Sequence, residues 1–151
     1  MLKVAVISKT PENWQSFEAS NEADAIYERI KLALINISRE ETLWLLSPMN
    51  RGIETLAAEL AVNLKGNIKL ECVIPAEEQA KDWSEPERDR YFSIIERCEL
   101  ENMLSTKETD KSQKLCYSYI ISSANLILLG EPPSDEIAKL IAESGKKVIE
   151  I

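Results

Sequence analysis

The chain has 151 residues, of which 44% are hydrophobic and 29% charged, and its formal net charge is −8. That length and balance predict one globular domain, residues 1–151, with a core large enough to need neither disulfide nor metal. The acidic charge works against broad binding to phosphate backbones, which needs several Lys and Arg, so general nucleic-acid binding is not expected.

There is no histidine, which removes the Ser-His and Cys-His nucleophile pairs and His-ligated metals. Cys72, Cys98 and Cys116 form no Cys-x-x-Cys motif, so they read as buried reduced thiols rather than a metal or redox site. The apolar N-terminal run turns polar at Lys9, too early for a signal peptide or membrane span. Cytoplasmic residence without a membrane partner is the expectation.

In chain order, Leu2 to Ile7 is a short apolar run that predicts a first strand buried on both faces. From Asn21, taken as the N-cap, Ala23, Ile26, Tyr27, Ile30, Leu34 and Ile37 recur at helical spacing. Leu43 to Leu46 predicts a second strand that Pro48 ends. Ile53, Leu56, Ala57, Leu60, Ala61 and Leu64 mark the clearest helix, with Gly66 where a C-terminal cap belongs.

Ile68 to Ile74 predicts the third strand, and the polar stretch from Pro75 to Asp82 a part-helical segment. Ser84-Glu85-Pro86-Glu87 reads as a capping box opening a helix to about Arg97. Leu100 to Leu104 follows as a short strand, then a helix over Lys111 to Ser122 with Leu115, Tyr119 and Ile120 inward. Leu126 to Leu129 is another buried strand, and Ser134 caps a helix carrying Ile137, Leu140 and Ile141. Gly145 precedes a last strand, Val148 to Ile151.

Strands that are apolar throughout and alternate with helices predict an α/β Rossmann-like domain, its mainly parallel sheet covered by helices on both faces. No repeat, linker or low-complexity segment interrupts it. Ligands in such folds bind outside the carboxyl ends of the strands. The segments of interest are therefore Ser8 to Thr10, Ser47 to Glu54, Pro75 to Trp83 and Gly130 to Ser134.

Ser47 to Glu54 leads into the clearest helix, where unpaired backbone N–H groups suit an anion, Gly52 permits close approach and Arg51 pairs with phosphate. An ordinary strand-to-helix turn, with Glu54 opposite the helix dipole, accounts for the same residues. It is neither a Walker loop nor a Gly-x-Gly-x-x-Gly fingerprint. Beyond the third strand, adjacent Glu77 and Glu78 read as solvated, and Trp83 either stacks on a ligand ring or seals the core edge. Trp14 and Trp44 are assigned to packing.

Taken together, Ser47, Gly52-Ile53-Glu54-x-x-Ala57-Ala58-Glu59, Ile74-Pro75-x-Glu77-Glu78-Gln79, Trp83 and Arg90-Tyr91 resemble the YpsA-like family of the SLOG superfamily, most clearly from about Leu43 to Leu129. The resemblance implies a Rossmann-like fold that holds a nucleotide or nucleotide-derived ligand at the strand ends, with Gly52, Glu54, Gln79 and Trp83 at matching positions. Asn50 and Arg51 join them from the local turn, and Ser8 from the end of the first strand. Pro48 and Ser8-Lys9-Thr10 depart from the glycine-bearing turns of the family. Gly130-Glu131-Pro132-Pro133 lacks the glycines of the phosphate loop in the related cytokinin-activating phosphoribohydrolases, and the charge disfavours the single-stranded-DNA-binding branch.

Three functional expectations follow. The first is a binding or sensing domain for a nucleotide-like small molecule, with no catalytic residue, metal or identified cofactor. The second is a hydrolase of N-glycosidic or phosphate bonds that uses Glu54 as acid/base group. The third is a protein-interaction domain with a degenerate pocket, open to homo-oligomer formation.

Overall fold

Short apolar runs become strands and amphipathic runs become helices in a computed structural model that describes Met1–Ile151. The strands are β1 (Leu2–Ile7), β2 (Leu43–Ser47), β3 (Ile68–Ile74), β4 (Leu100–Met103), β5 (Leu126–Leu129) and β6 (Lys147–Glu150). Between them lie α1 (Trp14–Glu18), α2 (Asn21–Glu40), α3 (Ile53–Leu64), α4 (Glu85–Arg97), α5 (Asp110–Ser123) and α6 (Asp135–Ser144). No helix is long and apolar enough to cross a membrane.

All strand pairs are parallel, in the order β4-β3-β2-β1-β5-β6. The chain steps one way from β1 to β4, then returns to the other side of β1 and steps the opposite way. Right-handed crossovers in opposite directions must lie on opposite faces, and the helices divide accordingly. Ile30 and Leu34 of α2, Ala57 and Ala61 of α3, and Ile94 of α4 pack with Val4, Val6, Leu45 and Leu70. Cys116 and Ile120 of α5 and Ile137 and Ile141 of α6 pack with Ala5, Ile7, Leu46 and Ile127. Successive strand residues point to opposite faces, so β1 needs apolar side chains at every inner position, and Val4 to Ile7 are all fully buried.

Several local details differ from the sequence expectations. The N-cap of α2 is Ser20, which accepts from the Ala23 N–H at 3.2 Å, one residue before the expected Asn21. Residues 75 to 82 form turns rather than helix. The Ser84 hydroxyl donates to Glu87 Oε1 at 2.8 Å and makes no cap bond, so the expected box is a side-chain pair instead. The reciprocal capping box occurs at α5, between Thr109 and Ser112. Leu115 is exposed rather than inward, because Ser112, Cys116, Tyr117, Ile120 and Ile121 form the buried stripe of α5.

One buried glutamate lies in the sheet away from the strand ends. Glu71 accepts from Trp44 Nε1 at 2.8 Å, Tyr119 Oη at 3.0 Å and Asn102 Nδ2 at 3.1 Å, and so ties β2, β3, β4 and α5 together. Trp44 thus packs, as expected, and also donates a hydrogen bond.

Candidate functional site at the strand ends

The directions of chain progression diverge between β1 and β5, which is where parallel α/β sheets open a crevice at their carboxyl ends. The strands stay close there. Gly130 donates to the Ile7 carbonyl at 2.9 Å, Lys9 donates to the Glu131 carbonyl at 2.7 Å, and a side chain at Gly130 would run into that of Ser8. Immediately above lies a cavity of about 660 Å³. Ser8, Lys9 and Thr10 reach it from β1, Asn50 and Arg51 from β2, Gln79 and Trp83 from β3, and Pro133 and Ser134 from β5. The segment leading into α5 and its first turns close the remaining side with Glu108, Asp110, Gln113, Lys114 and Tyr117.

The structure therefore brings Ser8, Asn50, Arg51, Gln79 and Trp83 to one cavity, whereas Gly52 and Glu54 stand behind its wall. Gly52 has a φ of 109°, which disfavours any side chain, and Pro11 Cδ lies 3.3 Å from where a Cβ would stand. Its freedom serves the contact between the β1 and β2 loops. Glu54 is fully buried and folds back over the start of α3. Its carboxylate accepts from the backbone N–H of Ser8 at 3.1 Å, that of Asn50 at 3.3 Å and the Tyr117 hydroxyl at 2.7 Å. A side chain of α3 itself thus takes up the N–H groups of the β1 and β2 loops.

Burial pushes the Glu54 carboxyl up to about 7, with the bonds from Tyr117, Ser8 and Asn50 opposing it. Burial, then the neighbouring Glu54, raises the Tyr117 hydroxyl as well. Tyr117 keeps its proton and stands between the buried carboxyl and the cavity. Asn50 extends the chain of polar contacts: its Nδ2 donates to Tyr117 Oη at 3.0 Å and to Gln113 Oε1 at 3.2 Å, and its Oδ1 accepts from Gln113 Nε2 at 3.0 Å and Gln79 Nε2 at 3.0 Å. Gln79 also donates to the Pro48 carbonyl at 2.9 Å and accepts from Tyr91 Oη at 2.9 Å. Such a network fixes the amide orientations of the wall.

Trp83 lies edge-on to Tyr91 with ring centroids 5.2 Å apart, and the Arg51 guanidinium stands over its indole at 5.8 Å. Arg51 also faces Glu87 at 3.6 Å, and Lys114 pairs with Glu136 at 2.6 Å. Lys9 is exposed at the cavity without a carboxylate partner. Cys116 donates to the Val73 carbonyl inside the core, and no group of His, Cys, Asp or Glu is arranged to hold a metal ion. Glu77 is exposed, as its polar surroundings predict, whereas Glu78 is half-buried and its Oε1 accepts from the Glu108 N–H at 2.9 Å.

Sequence reasoning missed Gln113 and Tyr117, and named Tyr91 only as part of the family resemblance, with no place in the site. The spacing of Gln113 and Tyr117, one helical turn apart on α5, was their one local signal.

A parallel α/β sheet with a polar, aromatic-edged cavity at its topological switch point defines a Rossmann-like fold. The chain belongs to the YspA SLOG family, whose family model matches residues 15–131. It is 28% identical over 129 residues to the UPF0398 protein YpsA of Bacillus subtilis (strain 168), a match spanning 81% of this chain and 71% of that protein. It is similarly 26% identical over 131 residues to a UPF0398 protein of Lysinibacillus sphaericus (strain C3-41), covering 80% of this chain and 73% of the relative.

Proposed function

We propose that the chain binds a nucleotide or nucleotide-derived small molecule in the cavity above β1, β2, β3 and β5. The observation that carries this reading is the composition of one space: an indole under a guanidinium, a fixed row of amides and an unpaired lysine in about 660 Å³. That volume is in the range of small-molecule sites. A heterocycle stacks on Trp83, the Gln113 side-chain carbonyl accepts from a hydroxyl, and Lys9 with Arg51 meets phosphate. An open cavity of this size also speaks against a pocket that has closed through decay.

Thermal melting with a panel of nucleosides, mononucleotides, dinucleotides and nucleotide sugars tests it. A ligand at one hundred times its dissociation constant stabilises by about 2.7 kcal/mol, or roughly 5 to 10 °C at this chain length. Trp83→Ala and Arg51→Ala should each weaken binding about tenfold or more. No shift with any member at millimolar concentration overturns the reading.

A hydrolytic reading draws support from Glu54, whose carboxyl sits near neutrality with only Tyr117 between it and the cavity. Any proton it supplies reaches a ligand through the Tyr117 hydroxyl. Chromatography of nucleotides incubated with the protein would detect released base or phosphate. Turnover that persists in both Glu54→Gln and Tyr117→Phe would exclude this route.

A further inference from the structure

The amide wall of the cavity is held in one orientation by its two ends. The Pro48 carbonyl at one end and the Glu108 carboxylate at the other accept only, so Gln79 Nε2 and Gln113 Nε2 face them. Each of these two nitrogens gives its second hydrogen to Asn50 Oδ1, which leaves Asn50 Nδ2 to donate to Gln113 Oε1 and Tyr117 Oη. The three side-chain amides carry six N–H hydrogens, and all six are donated inside the protein. The hydroxyl hydrogens of Tyr117 and Tyr91 are spent as well, on Glu54 and Gln79, and Lys114 is paired with Glu136. What this side still offers a ligand is acceptors: Gln113 Oε1 and the carboxylates of Glu108 and Asp110.

Glu108 stands where that matters for a ring on Trp83. It lines the main cavity together with Gln113, and a side notch of about 350 Å³ together with Gln79 and Trp83. Its backbone N–H donates to Glu78 Oε1 at 2.9 Å and its Oε1 accepts from Gln113, so both its main chain and its carboxylate are positioned. A carboxylate has about four acceptor positions, and Gln113 fills one of them.

We propose that Glu108 makes the site selective for a guanine nucleotide, by accepting the N1–H and 2-amino hydrogens of the ring that stacks on Trp83. This rests on the nucleotide reading above and names its base. Guanine carries two adjacent N–H donors on one edge, which match the two oxygens of a carboxylate. Adenine and cytosine instead set a bare ring nitrogen beside their amino group, and its lone pair would face acceptors with no proton between them. Uracil and hypoxanthine keep a ring N–H but lack the amino group. No amide of the wall can turn a donor toward these bases without breaking the run of bonds from Pro48 to Glu108. Lys9 and Arg51, the cations at the β1 and β2 loops, are left for the phosphate.

Calorimetric titration with the 5′-monophosphates of guanosine, inosine and adenosine tests it, since these probes share ribose and phosphate and differ only at the base. Guanosine monophosphate should bind about tenfold more tightly than either of the others. Glu108→Gln puts a donor where one acceptor stood. It should weaken guanosine monophosphate about tenfold and leave adenosine monophosphate unchanged or tighter, because an amide pairs with the adenine edge. Structural damage alone would weaken both alike. Adenosine monophosphate binding as tightly as guanosine monophosphate to the wild-type chain overturns the proposal and leaves the nucleotide reading standing. Absence of guanosine monophosphate binding also overturns it, and the melting panel then decides the nucleotide reading separately. A guanine preference undiminished in Glu108→Gln would overturn it by placing base recognition elsewhere. Glu108 is exposed, and if the variant still failed to fold, the three titrations of the wild-type chain would decide the matter.

Discussion

Glu54 is a carboxyl group with three hydrogen-bond donors and no cationic partner, and burial dominates its ionisation. Below the ordinary carboxyl value near 4.5, folded and unfolded chains are both protonated there, and the group costs nothing. As pH rises toward about 7 the unfolded chain releases its proton first, so stability is lost until the folded group ionises as well. The loss is about 3 kcal/mol, because each tenfold difference in proton affinity between the two states is worth ~1.4 kcal/mol. Glu54→Gln has no such proton to release. Denaturant unfolding should therefore show wild-type stability falling relative to Glu54→Gln by about 3 kcal/mol between roughly pH 4.5 and 8. A difference that does not vary with pH would refute the assignment of burial as the cause. The presence of a carboxylate at residue 54 was visible in the sequence, but its direction was not. A glutamate in a first helical turn points to solvent or back over the helix start according to what packs above it, and here that is β1 and α5.

At the level of elements, the approach of β1 to β5 rests on Gly130. Its φ is not in the left-handed region, and what forbids a side chain is the neighbouring strand end, where a Cβ would meet Oγ and Cβ of Ser8. Gly130→Ala should destabilise the chain by about 1–3 kcal/mol, the usual cost of overpacking. Removing the obstacle should restore part of that loss, so Ser8→Gly combined with Gly130→Ala should unfold at higher denaturant than the two single effects added would allow. Additive effects would show that the clash is relieved some other way. Helices and strands were legible because their signals repeat within a few residues. β1, β3 and β5 have the bounds the apolar runs predict, α3 spans the residues its apolar spacing marks, and α4 runs from just after Ser84 to Arg97 as expected. Short α1 was not foreseen, since one turn carries too few positions for a period to register, and its Trp14 is held by tertiary packing. Leu115 was misassigned because both stripes of α5 contain apolar residues and only packing against β1 and β3 selects one.

For the molecule as a whole, β1 lies near the centre of the sheet while β4 and β6 form its edges. Leu100 and Met103 of β4 and Val148 of β6 are exposed, so the edges have less buried apolar surface to hold them. Native-state hydrogen exchange should therefore release the amides of β6 and β4 through local opening, and those of β1 and β2 only on global unfolding. Equal protection across all strands would contradict that ordering. The sequence by itself determined the alternation of strands and helices, the parallel class of sheet, the strand-end loops that line the cavity and the resemblance to SLOG proteins, since these depend on local pattern or short motifs. The tertiary structure alone decided that Asn50 meets Gln113, 63 residues away, and that Tyr117 stands between Glu54 and the cavity. Each of these contacts joins residues on separate elements. Strand order and the face taken by each helix bring them together, and both are set by collective packing of the sheet rather than by any one segment's preference.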